Sequence, residues 1–276
     1  MKYDPILKEN ALLRNSEVSQ PWIKAGLRFG DKGTHTSRTI MLKELALLLE
    51  DQEPNAPRDA YVSAIIDQNC LGKRTVSTRK LTCQRLSELY GLDPSTPLFR
   101  VLRHLWQVDE SGRPLLALLT ALARDPLLRV TSTTILQMPN GEELMRQKLM
   151  NALRQSVEDR LNTGTLNTTV RNISSSWTQS GHLKGRVRKI RQKVKPTPIV
   201  TAYALLLAYI LGARGGGLFN TLWAKVLDTP VEELISLAIE AKRLGFLDLS
   251  QAGGVIEVSF TRMLTEDERQ LIHGTD

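Results

Sequence analysis

Apolar residues at Met41, Leu42, Leu45, Leu48 and Leu49 within Thr36–Glu50 have the spacing of one helix face, with Ser37 placed to cap it. After a loop at Asp51–Arg58, Ala60–Asn69 reads as a second helix. Leu71-Gly72-Lys73-Arg74 reads as a helix end with a turn, and helical spacing resumes in Thr75–Tyr90 through Leu81, Leu86 and Leu89. Pro97–Trp106 and Pro114–Ala123 are two strongly apolar helices, and Pro126–Gln137 is a further one. No period-two pattern occurs before residue 180, so the first part predicts an all-helical bundle over residues 1–138.

From Asn140 the rhythm changes. Gly141–Leu161 predicts one long amphipathic helix or two, with Asn140 near the cap and a break at Asn162-Thr163-Gly164. Thr165–Ser180 has the composition of a linker, yet Leu166, Val170, Ile173 and Trp177 fall at i, i+4, i+7 and i+11. That is an apolar helix stripe, with Thr168, Arg171, Asn172, Ser175 and Gln179 opposite it and Gly181 as a left-handed stop. His182–Lys195 fits two short extended arms with a basic tip, and Pro196-Thr197-Pro198 marks a boundary. Helix, helix, polar-faced helix and basic ribbon follow in the order of a winged helix, predicted over residues 139–196.

The order repeats over residues 197–276. Helices are predicted at Ile199–Ala213, Leu218–Leu227 and Pro230–Leu244, the last with Thr229 as cap and Pro230 at its first position. Leu247–Phe260 then alternates as a hairpin around Ala252-Gly253-Gly254. Glu232 and Glu233 at the start of the third helix would repel phosphates, so this copy reads as a packing or partner-binding module. The fold class is therefore mainly α: a helical bundle followed by winged-helix-like modules with short β-hairpins.

Hydrophobic residues at 41% and charged residues at 24% exclude a disordered or collagen-like chain. Cys70 and Cys83 are too few for a disulfide scaffold, and the N-terminus has no apolar core of signal-peptide length, so the expected setting is cytoplasmic. Ile199–Ala213 is uncharged but shorter than the roughly 20 residues of a membrane span, which predicts a buried core helix. The net charge of +8 is concentrated: residues 181–200 hold seven basic and no acidic groups. Lys184, Arg186, Arg188, Lys189, Arg191, Lys193 and Lys195 repel one another unless a polyanion is near.

The polar face of Thr165–Ser180 matches this ribbon, because Arg pairs with guanine, Asn or Gln with adenine, and Ser or Thr with phosphates. A third cluster comprises Lys73, Arg74, Thr75, Ser77, Thr78, Arg79, Lys80 and Arg85 at a helix start, where backbone N–H groups also favour anions. Each pattern has a plainer explanation in capping and solvated surface charge. Catalytic signals are weak. The four histidines show no HExxH spacing, the cysteines have no histidine beside them, and no clustered carboxylates suggest a metal nuclease. A phosphate loop ending at Lys73 would need Gly at position 67 and Ser or Thr at 74, where Asp67 and Arg74 stand. Ala213–Gly217 lacks the preceding strand of a dinucleotide loop. Neither catalytic residues, metal nor cofactor is expected.

The stretch Asn69–Trp106 resembles the BrxA family of bacteriophage-exclusion (BREX) defence systems through Asn69, Leu71, Gly72, Lys73, Arg74, Thr75, Ser77, Thr78 and Arg79, followed by a Leu-rich helix. Thr169–Leu183 is similar to that family's C-terminal helix and its Gly-Leu-like turn. The resemblance covers about half of the chain and leaves out the first fifty residues and 199–276. It implies a non-enzymatic DNA-binding accessory protein of a phage-defence system, helical like the antitermination protein NusB and with winged-helix character. The expected partners are double-stranded DNA and other proteins of the defence system, with no membrane and no small-molecule substrate. Thr168, Arg171 and Asn172 are the expected groove contacts; the ribbon with Lys73, Arg74, Arg79 and Lys80 is expected on phosphates. An RNA-binding factor and an adaptor gripping an acidic protein are the alternatives.

Overall fold

The computed structural model describes residues 20–157 and 160–273. Among these the chain is mainly helical, with two small two-stranded antiparallel sheets. The first part runs α1 (Gln20–Lys24), a 3-10 turn at Thr34–Thr36, α2 (Leu42–Asp51), α3 (Arg58–Ile66), α4 (Val76–Tyr90), α5 (Pro97–Val108) and α6 (Arg113–Arg124). Two short helices follow, α7 (Pro126–Val130) and α8 (Ser132–Leu136), where one was expected. Thr75 caps α4 by accepting from Thr78 N, as Ser and Thr do at helix starts. Ser37 does not cap α2 but ends the 3-10 turn, its N–H donating to Thr34 O; the chain then stays non-helical up to Met41, which has φ 51°, because residues 35–42 bond outward to another helix.

The middle part comprises α9 (Arg146–Val157), α10 (Thr163–Gln179), β1 (Leu183–Lys184) and β2 (Ile190–Arg191). The reading of Gly141–Leu161 as helix is corrected at its front end. Gly141 N donates to Arg191 O at 2.9 Å, Arg191 N to Glu142 O at 2.9 Å, and Leu144 N to Lys189 O at 2.7 Å. Residues 141–144 are thus an extended third edge beside β2, with Glu143 bridged to Ile190, and the spatial order is 143, β2, β1. The edge at 141–144, α9, α10 and the hairpin thus follow one another in the chain, with the edge and the hairpin paired.

The last part comprises α11 (Pro198–Ile210), a 3-10 turn at Gly215–Asn220, α12 (Leu222–Lys225), α13 (Val231–Arg243), β3 (Asp248–Ala252), β4 (Val255–Ser259) and α14 (Glu266–His273). The 3-10 turn and α12 replace the single helix expected over Leu218–Leu227, and Thr221 caps α12. Thr229 does not cap α13; its hydroxyl donates to Leu227 O, and the helix begins after Pro230. β3 and β4 pair from Asp248↔Ser259 to Ala252↔Val255, turning through Gly253 and Gly254 at φ 57° and 80°. Glycine adopts such values without the Cβ clash other residues meet.

Every residue of α11 from Ile199 to Ile210 is buried, which is why that apolar run exists. Among the described residues no helix is long and apolar enough to cross a membrane. Buried side chains from all three parts form one contiguous core, from Ala25 to Ile272. Thr120 and Tyr203 hydroxyls meet at 2.8 Å between α6 and α11, and Arg100 pairs with Glu268 between α5 and α14.

Candidate nucleic-acid interface

Helix α10 tolerates its poor helix formers because its apolar stripe is buried and its hydroxyls find acceptors on its own carbonyls. Asn162 accepts from Thr165 N at 2.8 Å and caps the start, so the expected break at Asn162–Gly164 is the cap and first turn. Thr169, Ser174, Ser176 and Thr178 each donate to the carbonyl four residues back. Gly181, at φ 91°, lets the chain leave the helix. Leu166, Val170, Ile173 and Trp177 are buried as their spacing requires.

The opposite face divides into two strips. Asn172, Ser176 and Gln179 hold residues 35–42 against the helix. Asn172 Nδ2 donates to His35 O at 2.9 Å, Ile40 N to Ser176 Oγ at 3.0 Å, and Leu42 N to Gln179 Oε1 at 3.1 Å. The expected base contact from Asn172 is therefore corrected: its amide is committed to the protein's own backbone. The second strip, Thr168, Arg171 and Ser175, faces outward; Arg171 is exposed and donates to Thr168 Oγ1 at 3.0 Å.

His35 anchors this strap. Its Nδ1 lies 2.8 Å from Asp125 Oδ2 and its Nε2 2.8 Å from Ser176 Oγ. Burial pushes the Asp125 carboxyl up, but His35 and the N–H groups of Leu128 and His35 outweigh it and hold it below its ordinary range. Serine, histidine and aspartate in this order have the composition of a hydrolase triad. A nucleophile must meet its substrate, whereas His35 and Ser176 are each 0% exposed and Ser176 Oγ is ringed by Ile40 N, Asn172 O and the imidazole. The group is a structural junction.

The ribbon is also divided. Lys184, Arg186 and Arg188 are exposed around a loop whose Gly185 has φ 112°, and Val187 at the tip is 90% exposed. Arg188 forks onto Glu143 Oε2 at 2.8 and 2.6 Å. Lys189 is partly buried and donates to Thr178 Oγ1 at 3.0 Å and Gly185 O at 2.8 Å; burial lowers its pKa. Lys193 and Lys195 are exposed beyond β2. Arg191 is corrected: it is 2% exposed, pairs with Asp228 and donates to Ile135 O at 3.0 Å, so it fastens β2 to the last part and cannot reach a phosphate.

The third cluster is mostly engaged at home. Lys73 Nζ pairs with Glu44 at 3.0 Å, Arg79 donates to Ile66 O at 3.1 Å, and Arg85 pairs with Glu88 at 2.8 Å. Thr75 and Thr78 hydroxyls bond each other at 2.9 Å. The expected phosphate contacts from Lys73 and Arg79 are corrected accordingly; Arg74, Ser77 and Lys80 remain exposed. Gln179 meets α2 at Leu42 and Lys73 meets it at Glu44, so about half a turn of α2 separates this cluster from the end of α10.

What the fold does bring together is a hollow of about 450 Å³ between α9, α10 and the wing. Arg146, Arg171, Arg186 and Lys189 line it with Ser174, Ser175, Leu144 and Val187, and no acid is among the described residues that line it. Arg146 was missed by the sequence reading. A usable signal was present: α9 opens on Arg146 and carries no acid in its first turn, the unfavourable sign for a helix N-terminus unless an anion comes near. Among the described residues no group of three or more histidine, cysteine, aspartate or glutamate side chains could hold a metal.

No protein-family model matches this chain, and no curated protein does. The basic hollow and its surroundings therefore stand on their own chemistry.

Proposed function

We propose that this protein binds duplex DNA without chemistry, serving as an accessory factor that presents DNA to partner proteins. The observation that carries the reading is the acid-free hollow lined by Arg146, Arg171, Arg186 and Lys189. Exposed Lys184, Lys193 and Lys195 extend the same charge along the ribbon. Helix α10 would lie along the groove through Thr168, Arg171 and Ser175, with the wing on the backbone. The phage-defence setting rests on the resemblance of Asn69–Trp106 and Thr169–Leu183 to the BrxA family.

Fluorescence anisotropy with a labelled duplex across a salt series tests the reading. The expected result is binding that weakens steeply with salt, as counterion release demands. Absence of binding at low salt overturns it. Tighter binding to structured RNA in direct competition turns the assignment to RNA. A partner capture that survives nuclease treatment while duplex binding fails turns it to an acidic protein.

A further inference from the structure

We propose that the hollow is a pocket for a single phosphate group, with Arg146, Arg171, Arg186 and Lys189 as its ligands. The inference rests on the DNA reading, and deepens it by separating one seated phosphate from the diffuse charge of the ribbon. Four cations from three elements converge there without a carboxylate in the lining. The two acids on the neighbouring edge strand are engaged elsewhere, Glu142 with Lys148 at 2.9 Å and Glu143 with Arg188 at 2.6 Å. Among the described residues the ammonium of Lys189 has neutral acceptors at hydrogen-bond distance, Thr178 Oγ1 and Gly185 O, and its burial disfavours the charged form. A half-buried cation among cations is stabilised by an anion brought from outside. The N-terminus of the twelve-residue α9, opening at Arg146, adds its dipole with the same sign.

Size limits what enters. At about 450 Å³ the hollow lies toward the small end of ligand pockets, roughly 300–1,000 Å³. That is room for a nucleotide-sized unit, so a backbone phosphate would enter with its sugar while the rest of a duplex would cross α10 and the wing. Ser174 is spoken for by Val170 O, and Ser175 has only a 3.5 Å contact with Gln179, which leaves the Ser175 hydroxyl to turn toward a phosphate oxygen.

The test compares Arg146→Ala and Lys189→Gln with the wild-type protein. Both are surface or half-buried positions, and glutamine retains a donor toward Thr178; circular dichroism checks that each variant is folded. With labelled duplexes of unrelated sequence, Arg146→Ala is expected to weaken binding about tenfold, equally for each sequence, and to reduce the salt slope by about 1. Unchanged affinity and slope in both variants, with wild-type binding intact, overturns the pocket and leaves the DNA reading standing. If the wild type binds no DNA, calorimetry with inorganic phosphate and with a nucleoside monophosphate decides. Heat that disappears in Arg146→Ala supports the pocket with a free phosphate compound as its source and overturns the DNA reading. No heat with either probe overturns both.

Discussion

The chain builds the sequence of two helices and a hairpin twice, and the two hairpins differ in how far they pair. β1 and β2 share only two residue pairs, Leu183↔Arg191 and Lys184↔Ile190, and the five residues between them project as a wing. β3 and β4 pair over five positions down to a two-residue glycine turn and leave no wing. The short hairpin gains its third edge from residues 141–144, which stiffens the base and leaves the tip unpaired. The helices differ in the same sense: α13 opens with exposed Glu232 and Glu233, whereas α9 opens with Arg146. Similar element order thus yields one module with a basic concave face and one whose exposed helix start is acidic.

The largest expected effect comes from the joint between the modules. Arg191 of the first and Asp228 of the second are both buried to below a tenth of their exposure. Asp228→Ala leaves a buried guanidinium without its counter-charge and is expected to cost about 3–5 kcal/mol in urea unfolding. A loss below about 1 kcal/mol would show that the backbone carbonyls around Arg191 suffice.

Charge reversal sharpens the contrast next. Lys184→Glu with Arg186→Glu in the first hairpin is expected to weaken duplex binding about a hundredfold and lower the salt slope by about 2. Arg243→Glu with Arg262→Glu in the second module, both exposed, is expected to change neither. Equal losses in the two pairs would remove the distinction between the modules.

A matched glycine pair probes the hairpins themselves. A Cβ on Gly185 would sit 2.0 Å from Arg188 O, so Gly185→Ala must rebuild the wing, with an expected tenfold loss of duplex affinity. A Cβ on Gly254 meets nothing within 4 Å, and the residue has φ 80°. Gly254→Ala is therefore expected to cost about 1 kcal/mol in stability and leave binding unchanged.

The same joint is also read out by pH. His182 sits under the first hairpin, 0% exposed, with Nδ1 2.8 Å from Ser180 Oγ and Nε2 2.8 Å from Val226 O. Burial lowers its pKa to about 4, against the opposing pull of Asp228. The folded protein then holds this imidazole neutral where the unfolded chain protonates it. Its contribution is fully present above pH 6.5 and falls as pH drops toward 4. Urea midpoints measured through that window are expected to decline, and His182→Gln to flatten the decline; an identical slope in the variant would assign it to other groups.

Much of this architecture was legible in the chain. The 3.6-residue spacing of Leu166, Val170, Ile173 and Trp177 located α10 inside a Ser/Thr-rich stretch, because burial follows periodicity and not composition. The uncharged run at 199–210 resolved as a core helix on length alone. What stayed hidden depends on partners far along the chain. Periodicity placed Asn172 and Gln179 on the polar side of α10, and nothing local revealed that residues 35–42 would cover that side. Likewise Glu142 to Leu144 read as helix because their pairing partner lies beyond residue 188. Arg191 looked like its basic neighbours until Asp228 supplied its counter-charge.

The strap across α10 has a consequence for how the molecule is made. His35 and Ser176 are 141 residues apart, and Leu42 and Gln179 are 137. At roughly 5–20 residues per second, a ribosome takes on the order of 7–30 s to add that length. Through that interval the first part can collapse around α5 and α6 while Ile40 N still lacks its serine. Contacts of such separation close slowly, which sets this protein apart from fast-folding bundles dominated by local contacts. The strap on α10 can therefore close only once the chain has been made as far as Gln179.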